Sequence, residues 1–252
     1  MTPTKVILIF FLQIVLAFDV SAQMNVFRSN NYTKIDNSYV APMVSSNLQL
    51  NLDASNSASY SGTGGTWYDL ASNSLNGTIH GATYNSGNGG YFDFNGTSNY
   101  IDIGQPLSNG ASYTINAWVY LMGTGANQNI VSSSSSPFFI YTGSLYAGVG
   151  ANYLAVNGGV FPLNQWKYVT TTFDDAANTM KIYINGALIT TSTTVTQSFT
   201  QESFRIGAHF LSDGSPVSFW QGRIASVSIY NGPLTSAQVL TNFNATKTRF
   251  GL

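Results

Sequence analysis

From residue 47 onward the chain is cut into short segments in which apolar and polar residues alternate, each closed by a cluster of Gly, Asn, Ser or Asp. A period of two buries one face of a strand and leaves the other outside, so this rhythm admits antiparallel strands and little else. In "LQLNLD", Leu48, Leu50 and Leu52 alternate with Gln49 and Asn51. In "SYTINAWVYL", Tyr113, Ile115, Ala117, Val119 and Leu121 fall on one face, with Ser112, Thr114, Asn116, Trp118 and Tyr120 on the other. "TMKIYINGALITTS" predicts a hairpin: Met180, Ile182 and Ile184 share a face, and Asn185-Gly186 supplies the positive φ values of a two-residue primed turn. Further strands are predicted at "FFIYT", "LYAGV", "NYLAV", "WKYVTTTF", "SFRIGAH" and "VSFWQGRIASVSIY". Only "LTSAQVLTNF" has helical spacing, near 235–243, where Thr235 or Ser236 can cap and Val239, Leu240 and Phe243 form an apolar stripe. The fold class is therefore all-β, an antiparallel two-sheet jelly-roll sandwich with one short C-terminal helix.

Ahead of this pattern stand two segments of different character. Residues 1–22 hold Lys5, an apolar run from Val6 to Phe18 and small residues up to Ala22, which reads as a secretory signal peptide. The run is shorter than the roughly 20 residues that span a bilayer. Residues 23–46 have no clear period and include Pro42, and are read as an N-terminal extension or linker. The domain proper is assigned to 47–252, a length at which all-β sandwiches form a single unit. No cysteine is present, so the core must hold without disulfides. These features predict a secreted or extracellular protein, periplasmic or at the cell surface, with no membrane insertion once the signal is removed.

Charged residues are only 8% of the chain and the net charge is −1. Such a surface cannot neutralise a run of phosphates, which excludes nucleic acid and anionic membrane surfaces as partners. A surface of Ser, Thr, Asn, Gly and Tyr makes contacts through hydrogen bonds and ring faces. Neutral glycans, a glycosylated surface, or other copies of the same chain suit it.

Several segments in order, "WYDLASNSLNGT", "FDFNGTSNYIDI", "YTINAWVY", "WKYV" followed by "KIYING", "FRIGA" and "GRIASVSIYNGPLTSAQV", resemble the laminin-G-like or pentraxin-like modules of the concanavalin A-like lectin/glucanase superfamily. The resemblance implies two packed antiparallel sheets, one concave and one convex, with sequence-distant strands adjacent. It also raises two chemistries. Glucanases of the superfamily place acids at alternate positions of one strand, whereas this chain has a single glutamate, Glu202, and its pair Asp174-Asp175 lies in a predicted turn. Asp93 and Asp102 are predicted to face outward from their strands. His80 and His209 are the only histidines, and neither adjoins a nucleophile elbow. The expectation is a non-catalytic protein, the alternative being an unconventional hydrolase using Glu202 or Asp174.

Related modules often hold calcium through acidic residues where this chain has Asn95, Asn99 and Ala225. Calcium asks for about six to eight oxygens, and each departure removes a carboxylate. Asp69 remains as a candidate metal ligand. For sugar binding, Tyr141, Tyr146 and Tyr153 stand on successive short strands, and His209, Phe210 and Trp220 border a long polar loop. Trp118 and Trp166 are read as core residues. The Asn-x-Ser/Thr sequons at Asn31, Asn76, Asn95 and Asn244 match by composition alone. The expected function is a secreted, lectin-like recognition or adhesion module that binds carbohydrate. The alternative is a fibre, matrix or virion-decoration subunit that self-associates through sheet edges.

Overall fold

The computed structural model describes residues 26–29, 32–35, 41–125, 127–133, 137–149, 152–155, 161–196, 200–211 and 213–252, and only the backbone of 26–29, 32–35, 137, 149, 152–155 and 210. The segment read as a signal peptide lies outside the described residues. Residues 1–41 and 42–252 cluster as separate units. In the first, Val26–Ser29 and Tyr32–Ile35 pair as an antiparallel hairpin, although the sequence there shows no strand period.

The larger unit is built on two sheets. The first sheet runs from edge to edge through Asn152–Ala155, Ser144–Val149, Pro137–Tyr141, Asn127–Ser132, Phe204–Ile206, Tyr100–Ile103, Gly77–His80 and Thr66–Trp67. The second runs through Ala187–Ser192, Thr179–Ile184, Trp166–Asp174, Tyr113–Leu121, Gln221–Tyr230, Tyr91–Asn95 and Thr83–Asn85, and Leu48–Asp53 joins it against Gln221–Tyr230. Between the sheets lies one apolar core in which Ile101, Phe138, Ile140 and Phe204 from the first meet Leu50, Ile115, Val119 and Ile182 from the second. The alternation in the sequence is the alternation of this packing, and the jelly-roll sandwich is the fold.

The second sheet is buried on its outer face as well. Trp118 and Trp166 are buried there, beneath the C-terminal segment, rather than between the sheets. Trp118 stacks on Phe250 with ring centroids 4.1 Å apart, and its Nε1 donates to Thr246 Oγ1 at 2.8 Å. Three polar residues of this face are paired in a chain: Thr170 Oγ1 donates to Asn116 Oδ1 at 2.7 Å, and Asn116 Nδ2 donates to Ser228 Oγ at 3.1 Å. Pairing of this kind is what allows amides and hydroxyls to be buried.

The cover is the helix Ser236–Thr246 and the 3-10 turn Lys247–Phe250. Thr235 caps the helix in a capping box with Gln238, an arrangement worth about 1 kcal/mol. The stripe it buries is Val239, Asn242 and Phe243; Leu240, expected in that stripe, is 45% exposed. Asn242 takes the inward position because both ends of its amide find partners: Nδ2 donates to Tyr230 Oη and Oδ1 accepts from Val44 N. Arg249 then ties the tail to the sheet, donating to Asp53 Oδ1 at 2.7 Å and to the carbonyls of Asn88 and Gly90.

One glycine in the central strand has no substitute. Gly222 holds φ +151°, and a Cβ there would fall inside the van der Waals shell of the Tyr120 carbonyl oxygen on the neighbouring strand. Backbone cannot swing aside as a side chain can. Gly222→Ala is expected to lower unfolding free energy by roughly 2–4 kcal/mol, measured by chemical denaturation, through backbone strain and overpacking.

Candidate functional site

Among the described residues, a groove of about 390 Å³ opens on the outer face of the first sheet, lined by Asn127, Asn129, Phe139, Tyr141, Tyr146, His209 and Ser218. Strand register explains why they converge. Asn129, Phe139 and Tyr146 stand opposite one another across three neighbouring strands, and Asn127, Tyr141 and Ser144 form the next row. Residues two apart on a strand share a face, so both rows look away from the core while Phe138, Ile140 and Leu145 look into it. The hairpin that carries the tyrosines turns at Thr142 and Gly143, both with positive φ, as a two-residue loop requires.

The rings are not coplanar. Phe139 and Tyr146 are stacked, 5.4 Å apart and 24° between planes, whereas Tyr141 meets Tyr146 edge-on at 5.9 Å and 75°. Tyr141 is 43% exposed. The far side is lined by His209 and Ser218. Ser218 sits in the left-handed region, φ 54°, and its carbonyl accepts from both the backbone N and Nδ2 of Asn129. Burial pushes the His209 imidazole below its usual pKa, with Arg205 acting in the same direction and Glu202 and a Ser133 backbone bond opposing. A neutral imidazole both donates and accepts. The groove thus offers ring faces beside amide, hydroxyl and imidazole groups.

Of the residues singled out in the sequence, Tyr141, Tyr146 and His209 meet in this groove. Tyr153 stands on the adjacent edge strand opposite Gly148, and its side chain lies outside the described residues, as does that of Phe210. Trp220 is a correction. It is fully buried in the inter-sheet core, because its backbone is pinned between Gly207 and Gly96, donating to the carbonyl of one and accepting from the amide of the other. Asn127, Asn129 and Phe139 were missed. The signal was present in "NQNIVS" and "PFFIY", where Asn127 and Asn129, and Phe139 and Tyr141, stand two apart.

Asp69 does not fit a metal. Its Oδ1 accepts from Asn51 N and Ala71 N and its Oδ2 from Leu75 N, so both oxygens fasten a loop to the first strand of the domain. The side-chain oxygens at Asn95 and Asn99 are also engaged: Asn95 Oδ1 accepts from the backbone of Thr97, Ser98 and Asn99, and Asn99 Oδ1 accepts from Asn95 N. Ala225 is buried. Oxygens that already receive N–H groups are poor ligands for calcium, which needs its oxygens turned toward the ion.

The fold also joins groups that are distant in sequence. Asp102 pairs with Arg205 Nε at 2.6 Å and with His80 Nε2 at 3.1 Å. His80 stacks on Tyr100 at 4.4 Å, and Arg205 lies over the Tyr100 ring at 4.9 Å. Asp93 pairs with Arg223, whose guanidinium lies over both Tyr91 and Tyr120. The outward-facing acids of the sequence are thus each tied to a cation on a neighbouring strand. Asp174 Oδ1 accepts from Ala177 N and shapes its own turn.

A laminin-G family of the concanavalin A-like lectin/glucanases superfamily matches residues 95–240, more than half of the chain. No curated protein matches it in sequence. Among solved structures, it is similar to domain 4 of AbnA, an extracellular GH43 arabinanase of Geobacillus stearothermophilus solved with arabinotriose, at 21% identity and TM-score 0.59, covering 78% of this chain and 98% of that domain. The binding domain of Paraclostridial Mosquitocidal Protein 1 aligns at 16% identity and TM-score 0.60, over 79% of this chain and 52% of the other. Trypanosoma rangeli sialidase, in complex with the inhibitor DANA, aligns at 15% identity and TM-score 0.63, over 84% of this chain and 36% of the enzyme. At these identities the likeness is one of fold. With the family match, the two sheets and their strand order, the chain belongs to the concanavalin A-like lectin/glucanases superfamily.

Proposed function

We propose that this chain is an exported recognition module that binds saccharide chains without cleaving them. The observation that carries this reading is the groove itself, where Phe139, Tyr141 and Tyr146 stand beside Asn127, Asn129, His209 and Ser218. Sugars are amphipathic in the same way: C–H faces pack on aromatic rings, and hydroxyls match amides and hydroxyls. A concave site with a few convergent polar groups is the usual form of a small-ligand site. The arabinotriose-bound arabinanase domain shares the fold, which supports the ligand class. Binding without turnover is supported by the sequence, in which no predicted strand of the domain carries acids at alternate positions to act across a glycosidic bond. Export is supported by the apolar run from Val6 to Phe18 that ends in small residues.

A second reading, self-association, is favoured by the edge strand Ala187–Ser192, where Leu188 and Ile189 are 48% and 41% exposed. Exposed apolar edges invite pairing between chains. If copies associate there, Leu188→Lys is expected to lower the mass seen by light scattering to that of one chain; an unchanged mass argues against it.

Binding tests the main reading, and stability tests the state of the groove histidine. In a glycan-array screen, the protein is expected to bind at least one class of saccharide, and Tyr141→Ala or Tyr146→Ala to weaken that binding by roughly tenfold, the loss of one stacking contact of about 1 kcal/mol or more; a blank array would reject it. The second concerns His209. Its folded pKa lies below the unfolded value, so stability is whole above about pH 6.5 and is lost as pH falls through the lowered value. Acidification to about pH 5 is therefore expected to lower Tm more in the native protein than in His209→Gln.

A further inference from the structure

We infer that the groove takes a short, uncharged saccharide segment and turns away sugars bearing carboxylate or sulfate groups, an inference that rests on the glycan-binding reading above.

The first observation lies in the sequence. From Ile103 through Trp166 the chain contains no Asp, Glu, Lys, Arg or His. This run supplies Asn127, Asn129, Phe139, Tyr141 and Tyr146, the floor and one side of the groove. Only His209 and Ser218 come from elsewhere, and burial favours the neutral form of the imidazole.

The second observation concerns the cation next along the sheet face. Arg205 stands opposite Ser132 on the strand beside the groove, yet its guanidinium is committed on the other side. Nε donates to Asp102 at 2.6 Å and Nη1 to the Gly214 carbonyl at 2.9 Å, with the group lying over the Tyr100 ring. Its charge is thus balanced before any ligand arrives. An anionic sugar entering the groove would shed water and meet amides, hydroxyls and ring faces, with no cation among the described lining residues to offset that loss. A neutral sugar exchanges hydroxyl contacts with water for similar contacts with Asn127 and the tyrosines.

The third observation is the ring geometry. A flat polysaccharide surface needs ring faces in one plane, but Tyr141 and Tyr146 meet at 75° and form a corner. A volume of about 390 Å³ lies near the small end of ligand pockets, which run from about 300 to 1,000 Å³. A short segment fits such a corner, and a crystalline face does not.

The test is calorimetry on the full chain with matched pairs: lactose against sialyllactose, and xylotriose against its glucuronic-acid-substituted form, with arabinotriose as a further neutral probe and crystalline cellulose as the flat one. The neutral member of a pair is expected to bind at least about tenfold more tightly than the acidic one, the cost of desolvating an unpaired charge. Asn127→Lys, at an exposed position on the groove, is expected to narrow that ratio by about tenfold by supplying the missing cation. Equal or stronger binding of the acidic members, an unchanged ratio in Asn127→Lys, or retention on cellulose to the same extent as on soluble sugars overturns this inference and leaves the glycan-binding reading standing. A screen in which no saccharide binds overturns both.

Discussion

The strand Gln221–Tyr230 is the constraint on which the molecule depends. One of its edges pairs with Tyr113–Leu121 over nearly its whole length, while the other is shared by Tyr91–Asn95 and Leu48–Asp53 placed end to end. Backbone donors in a dry core must be paired or they cost free energy, so removing this strand would leave an edge of three others unpaired at once. Both of its faces are occupied as well: Ile224, Val227 and Ile229 belong to the inter-sheet core, and Ala225 to the aromatic layer under the C-terminal tail. Gly222 records how tightly the neighbouring backbone approaches.

Against that rigid half, the other sheet has freedom on its outer face. Its inward residues close the core, and its outward residues at the hairpins nearest one edge pack chiefly on one another, as Phe139 does on Tyr146. There the chain can set rings and amides wherever the pleat allows. The groove arises where three strands place Asn129, Phe139 and Tyr146 in one row, and where His209 and Ser218, the latter with positive φ, stand beside them. Further along the same face, Asp102 is enclosed by Arg205 and His80. Charge is confined to one stretch of the sheet and absent from the other.

The fold was legible because period-two alternation reports burial directly. Leu50 and Leu52, and Tyr113 through Leu121, declared their inward faces without any knowledge of partners, whereas Leu48, beside a bulge in the register, packs with Tyr183, Tyr230 and Val239 under the helix. The hairpin at Asn185-Gly186 declared its turn, and Thr235 its cap. What the pattern could not report was a second layer. Trp118 reads as core from its bulk, but only the folded chain shows that Phe250 and Thr246 provide the cover, because that contact spans more than a hundred residues. The same limit misplaced Leu240 and hid Asn242, whose amide is acceptable inside only because Tyr230 and Val44 happen to face it. At the site, Tyr141, Tyr146 and His209 were legible from residue type, while Trp220 was misread because type alone does not distinguish a ring that turns inward. Asp69 was ambiguous for a related reason: a carboxylate that fastens a loop and one that holds an ion look identical until its hydrogen-bond donors are known.

The position of the central strand has a consequence for the order in which the molecule can be completed. Residues 221–230 and the tail that covers the second sheet leave the ribosome after nearly all of their partners. Until then Leu48–Asp53 has no strand to pair with, while Tyr91–Asn95 holds only Thr83–Asn85 and Tyr113–Leu121 only Trp166–Asp174, so the second sheet stays in separate pieces. Closure of loops this long is slow, and folding by whole units is the rule for such topologies. The second sheet therefore becomes continuous only after residues 221–230 have been made, whereas every strand of the first sheet precedes them.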